Sequence, residues 1–287
     1  MHAFLIMARS NSQELKNLLS SLDYDDNEIF LHIDAKANDT HSQLEKCCAH
    51  AKLIVVKSIK VSWAAYSQIE AELILLRNAV QSSQNYEYIH LLSENDLPVK
   101  SNRELHEFFK HKNTEFVQFS NIDDKTSLNK IKYYYYFQEF VGKKHGIIWL
   151  LQKILILCEH VFHTNRLKNI PYKKIGKGPN WFSITENFAK FILQNQSNIK
   201  KYFSFGRSAD EIFIQTLLLN SKFKSNISSS SLGNLRYVRW EQGNSPEYLT
   251  AEKDYKVITS ETNLFFARKF SNKIDKEIIN RILKRIS

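Results

Sequence analysis

The chain has 287 residues, of which 43% are hydrophobic, with seven Gly, four Pro and three Cys. That is enough to bury a sizeable core, and it excludes collagen-like, linker-dominated and disulfide-framework chains. A formal net charge of +10 favours anionic partners: nucleic acid, phosphorylated ligands or an anionic membrane surface.

The N-terminus, Met1 to Arg9, holds an apolar core too short for a signal peptide or a membrane span. It predicts a first strand over Ala3–Met7. Ser12–Leu22 carries Leu15, Leu18, Leu19 and Leu22 at helical spacing. Glu28–Ile33 is a second strand ending at Asp34, Ser42–Ala51 a helix, and Lys52–Val56 a third strand. A helix over Ser67–Val80 shows Ile69, Leu73, Leu76 and Val80 on one stripe, and Tyr86–Leu92 is a fourth strand closed by Ser93–Pro98. This alternation predicts a mostly parallel sheet with helices on both faces. Ligands of such sheets bind beyond the carboxyl ends of the strands. Those ends carry Ala8-Arg9, Asp34-Ala-Lys36 and Glu94-Asn-Asp96.

Beyond about residue 120 the pattern loosens. Lys130–Phe137 is basic and aromatic, and Gly146–Phe162 is a long apolar helix interrupted by Gln152, Lys153, Glu159 and His160, so it does not read as transmembrane. Gly178–Thr185 reads as a buried strand, Glu186–Gln194 and Asp210–Asn220 as helices, and Asn226–Asn234 as a Ser-rich loop. Leu235–Trp240 is a strand, and Ser271–Ile286 a basic amphipathic helix. No internal repeat or linker appears. The adjacent Cys47 and Cys48, with Cys158, form no spaced zinc set and fit a reducing compartment.

Several segments could carry chemistry. Ser208–Glu211 matches the capping box, in which Ser and Glu satisfy orphan backbone N–H groups, but either carboxylate of Asp210-Glu211 could instead act on a substrate. Asp23-Tyr-Asp25 has the Asp-x-Asp pattern of sugar-nucleotide enzymes, yet lies in a turn, where Asp is a common residue. Glu94-Asn-Asp96 offers hard oxygen ligands for Mg²⁺ or Mn²⁺; backbone N–H groups ahead of Pro98 are the competing partners. Dinucleotide, P-loop and Gly-x-Ser-x-Gly motifs are absent. Tyr133–Tyr136 beside lysines could stack on bases, but no nucleic-acid module accompanies them.

Taken in order, Phe4–Arg9, Leu31–Lys36, Val61–Tyr66 with Glu70-Ala-Glu72, Tyr88–Lys100, Gly178–Phe182, Ser208–Glu211, Pro246–Thr250 and Leu264–Phe270 resemble the core-2/I-branching N-acetylglucosaminyltransferase family, glycosyltransferase family 14, especially its small bacterial members. The resemblance implies a GT-A-type fold over a single domain, residues 1–120 binding the nucleotide sugar and residues 121–287 binding acceptor and supplying the base. It implies inverting transfer of a sugar, GlcNAc first, from a UDP-sugar, with Glu211 as base. Lys269 falls on the family's diphosphate-binding lysine. No arginine lies in Gly243–Ser260 for its second diphosphate ligand, so Arg268 is the substitute, with Arg236 and Arg239 behind it. Met7, Ala8, Arg9, Asp34, Tyr66 and Asp96 complete the donor side, and Trp181 and Trp240 the acceptor side.

Three departures from the family pattern stand out: Ala209 for proline, Trp63-Ala-Ala65 for Trp-Gly-Gly, and Glu94 for glycine. The last puts a carboxylate pair, Glu94 and Asp96, at the position of a metal, although the animal members work without one. The expectation is therefore metal independence, with Mn²⁺ or Mg²⁺ as the alternative. The expected partners are a UDP-sugar and a glycan or lipid-linked saccharide acceptor, not nucleic acid. The expected setting is the bacterial cytoplasm, with peripheral attachment to the inner face of the cell membrane as an alternative, building a surface polysaccharide or lipooligosaccharide. The competing reading is a non-catalytic basic protein binding nucleic acid or anionic membrane. Most helices like Gly146–Phe162 and the closing helix pack onto their own domain; the basic residues around these two also predict salt-sensitive peripheral binding to anionic lipid without insertion.

Overall fold

The computed structural model describes residues 1–37, 43–230, 233–241, 243 and 245–287. The first half of the chain runs β1 (His2–Ala8), α1 (Gln13–Ser21), β2 (Asn27–Ile33), β3 (Lys52–Val55), α2 (Tyr66–Val80), β4 (Tyr88–Ser93), β5 (Asp96–Pro98), α3 (Asn102–Phe109), β6 (Phe116–Val117), β7 (Asn121–Ile122), α4 (Lys125–Lys132) and α5 (Gln138–Val141). The second half continues with α6 (Ile147–Val161), β8 (Gly176–Lys177), β9 (Phe182–Thr185), α7 (Glu186–Gln194), α8 (Gln196–Phe203), α9 (Phe213–Leu219), β10 (Arg236–Val238), α10 (Ala251–Ser260), β11 (Phe266–Arg268) and α11 (Lys276–Ile286).

The central sheet has the order β3-β2-β1-β4-β9-β6. Its first four strands are parallel, and β9 and β6 extend it antiparallel. This is the expected α/β architecture, a mostly parallel sheet flanked by helices. The pleat of β1 sorts its side chains between two cores. Phe4, Ile6 and Ala8 join Leu15, Leu18 and Leu19 of α1 and Ile278, Ile279 and Ile282 of α11 on one face. Ala3 and Leu5 join Ile69, Leu73 and Leu76 of α2 and Phe188 and Ile192 of α7 on the other. Each such aliphatic side chain contributes about 1.5–3 kcal/mol on burial. Ser12 starts α1 by accepting the Leu15 N–H at 3.1 Å.

A second sheet, β10-β11-β5, positions the site. Its β11 runs antiparallel to β5, with Arg268 opposite Asp96. Neither three-residue strand carries an alternation that the sequence could announce.

The structure departs from expectation in four places. Of the helix expected over Ser42–Ala51, Ser42 lies outside the described residues, and the rest forms only a 3₁₀ turn at Glu45–Cys47. The Asp23 carboxylate accepts the N–H groups of Ala49, His50 and Ala51 at 2.7–2.8 Å, holding that segment away from helix. The strand expected from Gly178 starts at Phe182, because Gly178–Asn180 is a loop that packs on Gln118 and Gln215. The helix expected from Asp210 is a 3₁₀ turn at Ala209–Glu211 followed by α9. The closing helix starts at Lys276 with Asp275 as its cap, not at Ser271. Of the Ser-rich loop, residues 231 and 232 lie outside the described residues.

Candidate active site

Glu211 sits on the 3₁₀ turn before α9, with its side chain 39% exposed. The capping-box reading fails. Ser208 adopts a left-handed φ of 50° and its side chain caps nothing; its N–H instead donates to Ala64 O at 2.8 Å. This bond joins the Glu211 turn to the Trp63-Ala64-Ala65 loop. Lys130 and Lys177 reach the same carboxylate oxygen, Oε2, at 3.0 and 3.7 Å. Oε1 has no partner among the described residues and is free to accept a proton.

Next to Glu211 lie buried carboxylates. Asp210 is buried and its Oδ1 is unpartnered. Burial, then the neighbouring Glu211 charge, pushes the Asp210 carboxyl up to about 7. Glu72, fully buried, is pushed well above the carboxylate range by burial and then by Asp210, against a bond from Asn180 Nδ2 at 3.2 Å.

A second group of residues is basic. Arg268 is fixed by Asp96, whose Oδ1 accepts its Nε at 2.9 Å, and its guanidinium lies 4.3 Å above the Trp181 ring. Asp96 is itself held by the Ser93 N–H and hydroxyl, at 3.0 and 2.7 Å. Lys269 lies over the Tyr248 ring at 4.6 Å. Its ammonium is held below the ordinary lysine range by burial first, then by the positive charges of Arg268, Arg9 and Lys143, with Glu247 opposing. Arg9, largely exposed, is bound by Glu94 and donates to Asn95 Oδ1 at 3.2 Å. The carboxylates of Glu94 and Asp96 therefore each face an arginine, and no group of three or more metal-ligating side chains occurs among the described residues.

Trp63 links the two groups. Its exposed indole has Lys143 Nζ at 5.6 Å and Arg207 at 5.9 Å. Lys143 is charge-coupled to Lys269, while Arg207 donates its N–H to Lys130 O at 2.9 Å, next to Glu211.

Other expected site residues take supporting positions. Met7 and Ala8 end β1, where Met7 O accepts the Glu94 N–H at 3.3 Å and Ala8 O the Asp34 N–H at 2.9 Å. Asp34 accepts the N–H groups of Lys36 and Val61 at 3.0 and 3.3 Å, anchoring the loop that leads to Trp63. Tyr66 opens α2, and burial, then Glu70, pushes its hydroxyl up to about 12. Trp181, expected on the acceptor side, lies under Arg268, among the basic residues. Trp240 is exposed beyond β10, with no ring contact among the described residues. The fallback arginines are spent elsewhere. Arg236 is buried, donating to Leu91 O at 3.2 Å and to the Phe182 and Asn234 carbonyls. Arg239 is held by Asp254 and by Tyr248 O.

Sequence reasoning missed Lys130, Lys143, Lys177 and Arg207. Lys177 adjoins the quoted Gly178 segment and Arg207 adjoins Ser208, so proximity to motifs was the available signal. For Lys130 and Lys143 there was none, because their contacts reach across 81 and 80 residues.

The Core-2/I-branching enzyme family model matches residues 2–263. Human (Homo sapiens) N-acetyllactosaminide beta-1,6-N-acetylglucosaminyl-transferase is 24% identical over 247 residues, covering 83% of this chain and 58% of that protein. Xylosyltransferase 1 of Rattus norvegicus is 19% identical over 305 residues, covering 98% of this chain and 35% of that protein. The chain thus spans little more than half, or about a third, of the length of these relatives. Among solved structures, apo mouse xyloside xylosyltransferase 1 aligns with a TM-score of 0.34 and 12% identity, over 77% of this chain and 82% of that one.

Proposed function

Since the chain belongs to the Core-2/I-branching enzyme family, we propose that it is an inverting glycosyltransferase. It moves a sugar, GlcNAc in the first instance, from a UDP-sugar to a glycan or lipid-linked saccharide acceptor in bacterial surface polysaccharide or lipooligosaccharide synthesis. The observation that carries this reading is a carboxylate with one open oxygen, Glu211, connected through the Trp63 loop to a cluster of four cations, Arg9, Lys143, Arg268 and Lys269.

Each part of this arrangement has a task. Glu211 Oε1 takes the proton of the acceptor hydroxyl while Lys130 and Lys177 fix the other oxygen. The acceptor oxygen attacks the anomeric carbon, the bond from that carbon to the UDP oxygen breaks, and the configuration inverts in one displacement. The negative charge arriving on the diphosphate is met by the basic cluster, prepared before reaction begins. Trp63, exposed between Lys143 and Arg207, offers a flat apolar face for a sugar ring. With Glu94 and Asp96 already neutralised by arginines, the leaving group is stabilised by side-chain cations without a divalent metal.

The test is a donor screen. UDP-GlcNAc, UDP-xylose and UDP-glucuronic acid are incubated with the chain, and UDP release and calorimetric UDP binding are read. One donor should give sustained UDP release. No release from any donor, together with no UDP binding, would sink the reading and leave a basic protein without this chemistry.

A further inference from the structure

Helix α6 has its polarity reversed. A helix packed on a soluble domain turns its apolar stripe inward and its polar residues to water. In α6 the one buried residue is Gln152, which donates to Gln138 Oε1 and accepts the Phe137 N–H, both at 3.1 Å. Glu159 accepts the Tyr134 N–H at 2.8 Å, and His160 meets the Tyr133 hydroxyl at 3.0 Å. The polar groups of the helix thus tie it to the protein. Ile147, Leu150, Leu151, Ile154, Leu157 and Val161 stand exposed, Ile147 at 80%, and Phe162 just beyond is 81% exposed. Phe140 adds an exposed ring ahead of the helix. So large a contiguous apolar surface marks an interaction site.

We propose that α6 seats this protein on an anionic lipid bilayer, lying in the interfacial plane with its outward side chains at the headgroup–acyl boundary. Three observations select that occupant. No helix among the described residues is long and apolar enough to cross a membrane; fifteen residues reach only about 22 Å, against a hydrocarbon core of about 30 Å. Exposed Lys144, Lys153 and Lys168 lie before, on and after α6 in a chain of net charge +10, which complements anionic headgroups while the lysine stems lie along the apolar layer. A second copy bound through α6 would set those same lysines against their own counterparts, which disfavours a dimer. The expected peripheral attachment is thus extended: charge attracts, but apolar side chains enter the interface.

The seat is also wired to the candidate site. Glu139 of α5 accepts the Ser67 N–H and hydroxyl, both at 2.8 Å, and Gln138 Nε2 donates to Trp63 O at 3.1 Å. A bilayer under α6 therefore brings the Trp63 loop to the surface where a lipid-linked acceptor resides; this last step rests on the proposed glycosyl transfer, whereas the binding itself does not.

Exposed Cys158, on α6, is a built-in reporter, and Cys48 is a poor competitor because burial raises its thiol to about 12. With an environment-sensitive fluorophore on Cys158, phosphatidylethanolamine vesicles containing phosphatidylglycerol should produce a blue shift and co-sedimentation. Vesicles of phosphatidylcholine alone should bind at least about tenfold more weakly. The double variant L150E/L157E should lose at least about tenfold in vesicle affinity, with its thermal unfolding and its UDP release in solution unchanged. K144E/K153E should weaken binding and reduce its salt sensitivity. No pelleting and no spectral shift on anionic vesicles at low salt would overturn the proposal. So would a dimer in sedimentation velocity that L150E/L157E dissociates, since α6 would then be covered by a second copy. Loss of UDP release by the parent chain with vesicle binding intact would count against the catalytic reading alone.

Discussion

Glu94 holds Arg9 with both carboxylate oxygens: Oε1 accepts the side-chain Nε and Oε2 the main-chain N–H, each at 2.7 Å. The acid is buried and the arginine largely exposed, so the interaction aims a cation outward from the end of β1. Asp96 does the same for Arg268 across the β5–β11 pair. The two carboxylates that the sequence offers as a metal pair each hold an arginine.

The expected consequence is activity that survives excess EDTA. E94A should release Arg9 and weaken UDP binding by up to roughly 5-fold, the range for losing one partly screened charge contact. Calorimetry with UDP and turnover after chelation check both. Loss of activity on chelation, restored by Mn²⁺ and absent in E94A, would instead make these carboxylates metal ligands.

E211Q keeps the size and the bonds to Lys130 and Lys177 but leaves no base at Oε1. Turnover should fall by roughly 10²–10⁴-fold, the usual contribution of a general base, with UDP affinity almost unchanged. Near-normal turnover would return Glu211 to a structural role.

The sequence made some of this visible. Strands β1, β2 and β4 are apolar runs buried on both faces, and α1, α2 and α7 carry clear helical stripes, so all six were readable to within a residue or two at most ends. The pairing of β11 with β5 was hidden, because three-residue strands are specified by their partner rather than by their own pattern. Ser208–Glu211 misled for a related reason: a capping box is a local code, and a long-range bond from Ser208 N–H to Ala64 O overrode it. The resemblance marked Glu211 and Lys269; the lysines around them become meaningful only when distant segments meet.

Lys269 should make UDP binding fall at alkaline pH. The protonated ammonium is the form that attracts the diphosphate, and burial plus the charges of Arg268, Arg9 and Lys143 lower its pKa. Affinity should therefore begin to drop below the ordinary lysine range of about 10.4. K269R should remove that alkaline loss, since guanidinium stays charged, while K269A should weaken binding at every pH. A pH series of UDP titrations on the three proteins decides; identical profiles for parent and K269R would assign the charge elsewhere.

Gly178 is required by close approach. A Cβ there would lie 2.0 Å from Gln118 O, and the Gly178 N–H donates to Glu211 O at 2.9 Å. G178A must therefore displace the loop whose N–H is bonded to the carbonyl of the base. A stability loss of about 1–3 kcal/mol, typical of overpacking, should accompany a fall in turnover larger than any change in UDP affinity. Thermal unfolding and kinetics measure the two; unchanged turnover in a folded G178A protein would separate the loop from the position of Glu211.

The buried Asp210 should leave a signature in the pH dependence of stability. Its carboxyl titrates near 3.8 in an unfolded chain but at about 7 in the fold, because burial and then the Glu211 charge oppose its ionisation, while backbone N–H groups and the Lys130 charge favour it only in part. Between those values the folded state holds a proton that the unfolded state has lost. Stability must then decrease as pH rises from about 4 to about 7 and level off above, by up to about 4 kcal/mol for a shift of this size. Glu115, raised to about 7 by burial, acts in the same direction, while buried His2 and His90, with lowered pKa values, act oppositely below their unfolded range. The parent curve is a sum of these, so the difference between parent and D210N isolates the residue. D210N should be more stable than the parent at pH 8 and gain less, or nothing, at pH 4; it should also relieve Glu72, whose carboxyl Asp210 helps to push up. Thermal unfolding at both pH values is the measurement, and parallel curves for the two proteins would mean that Asp210 carries no shifted proton.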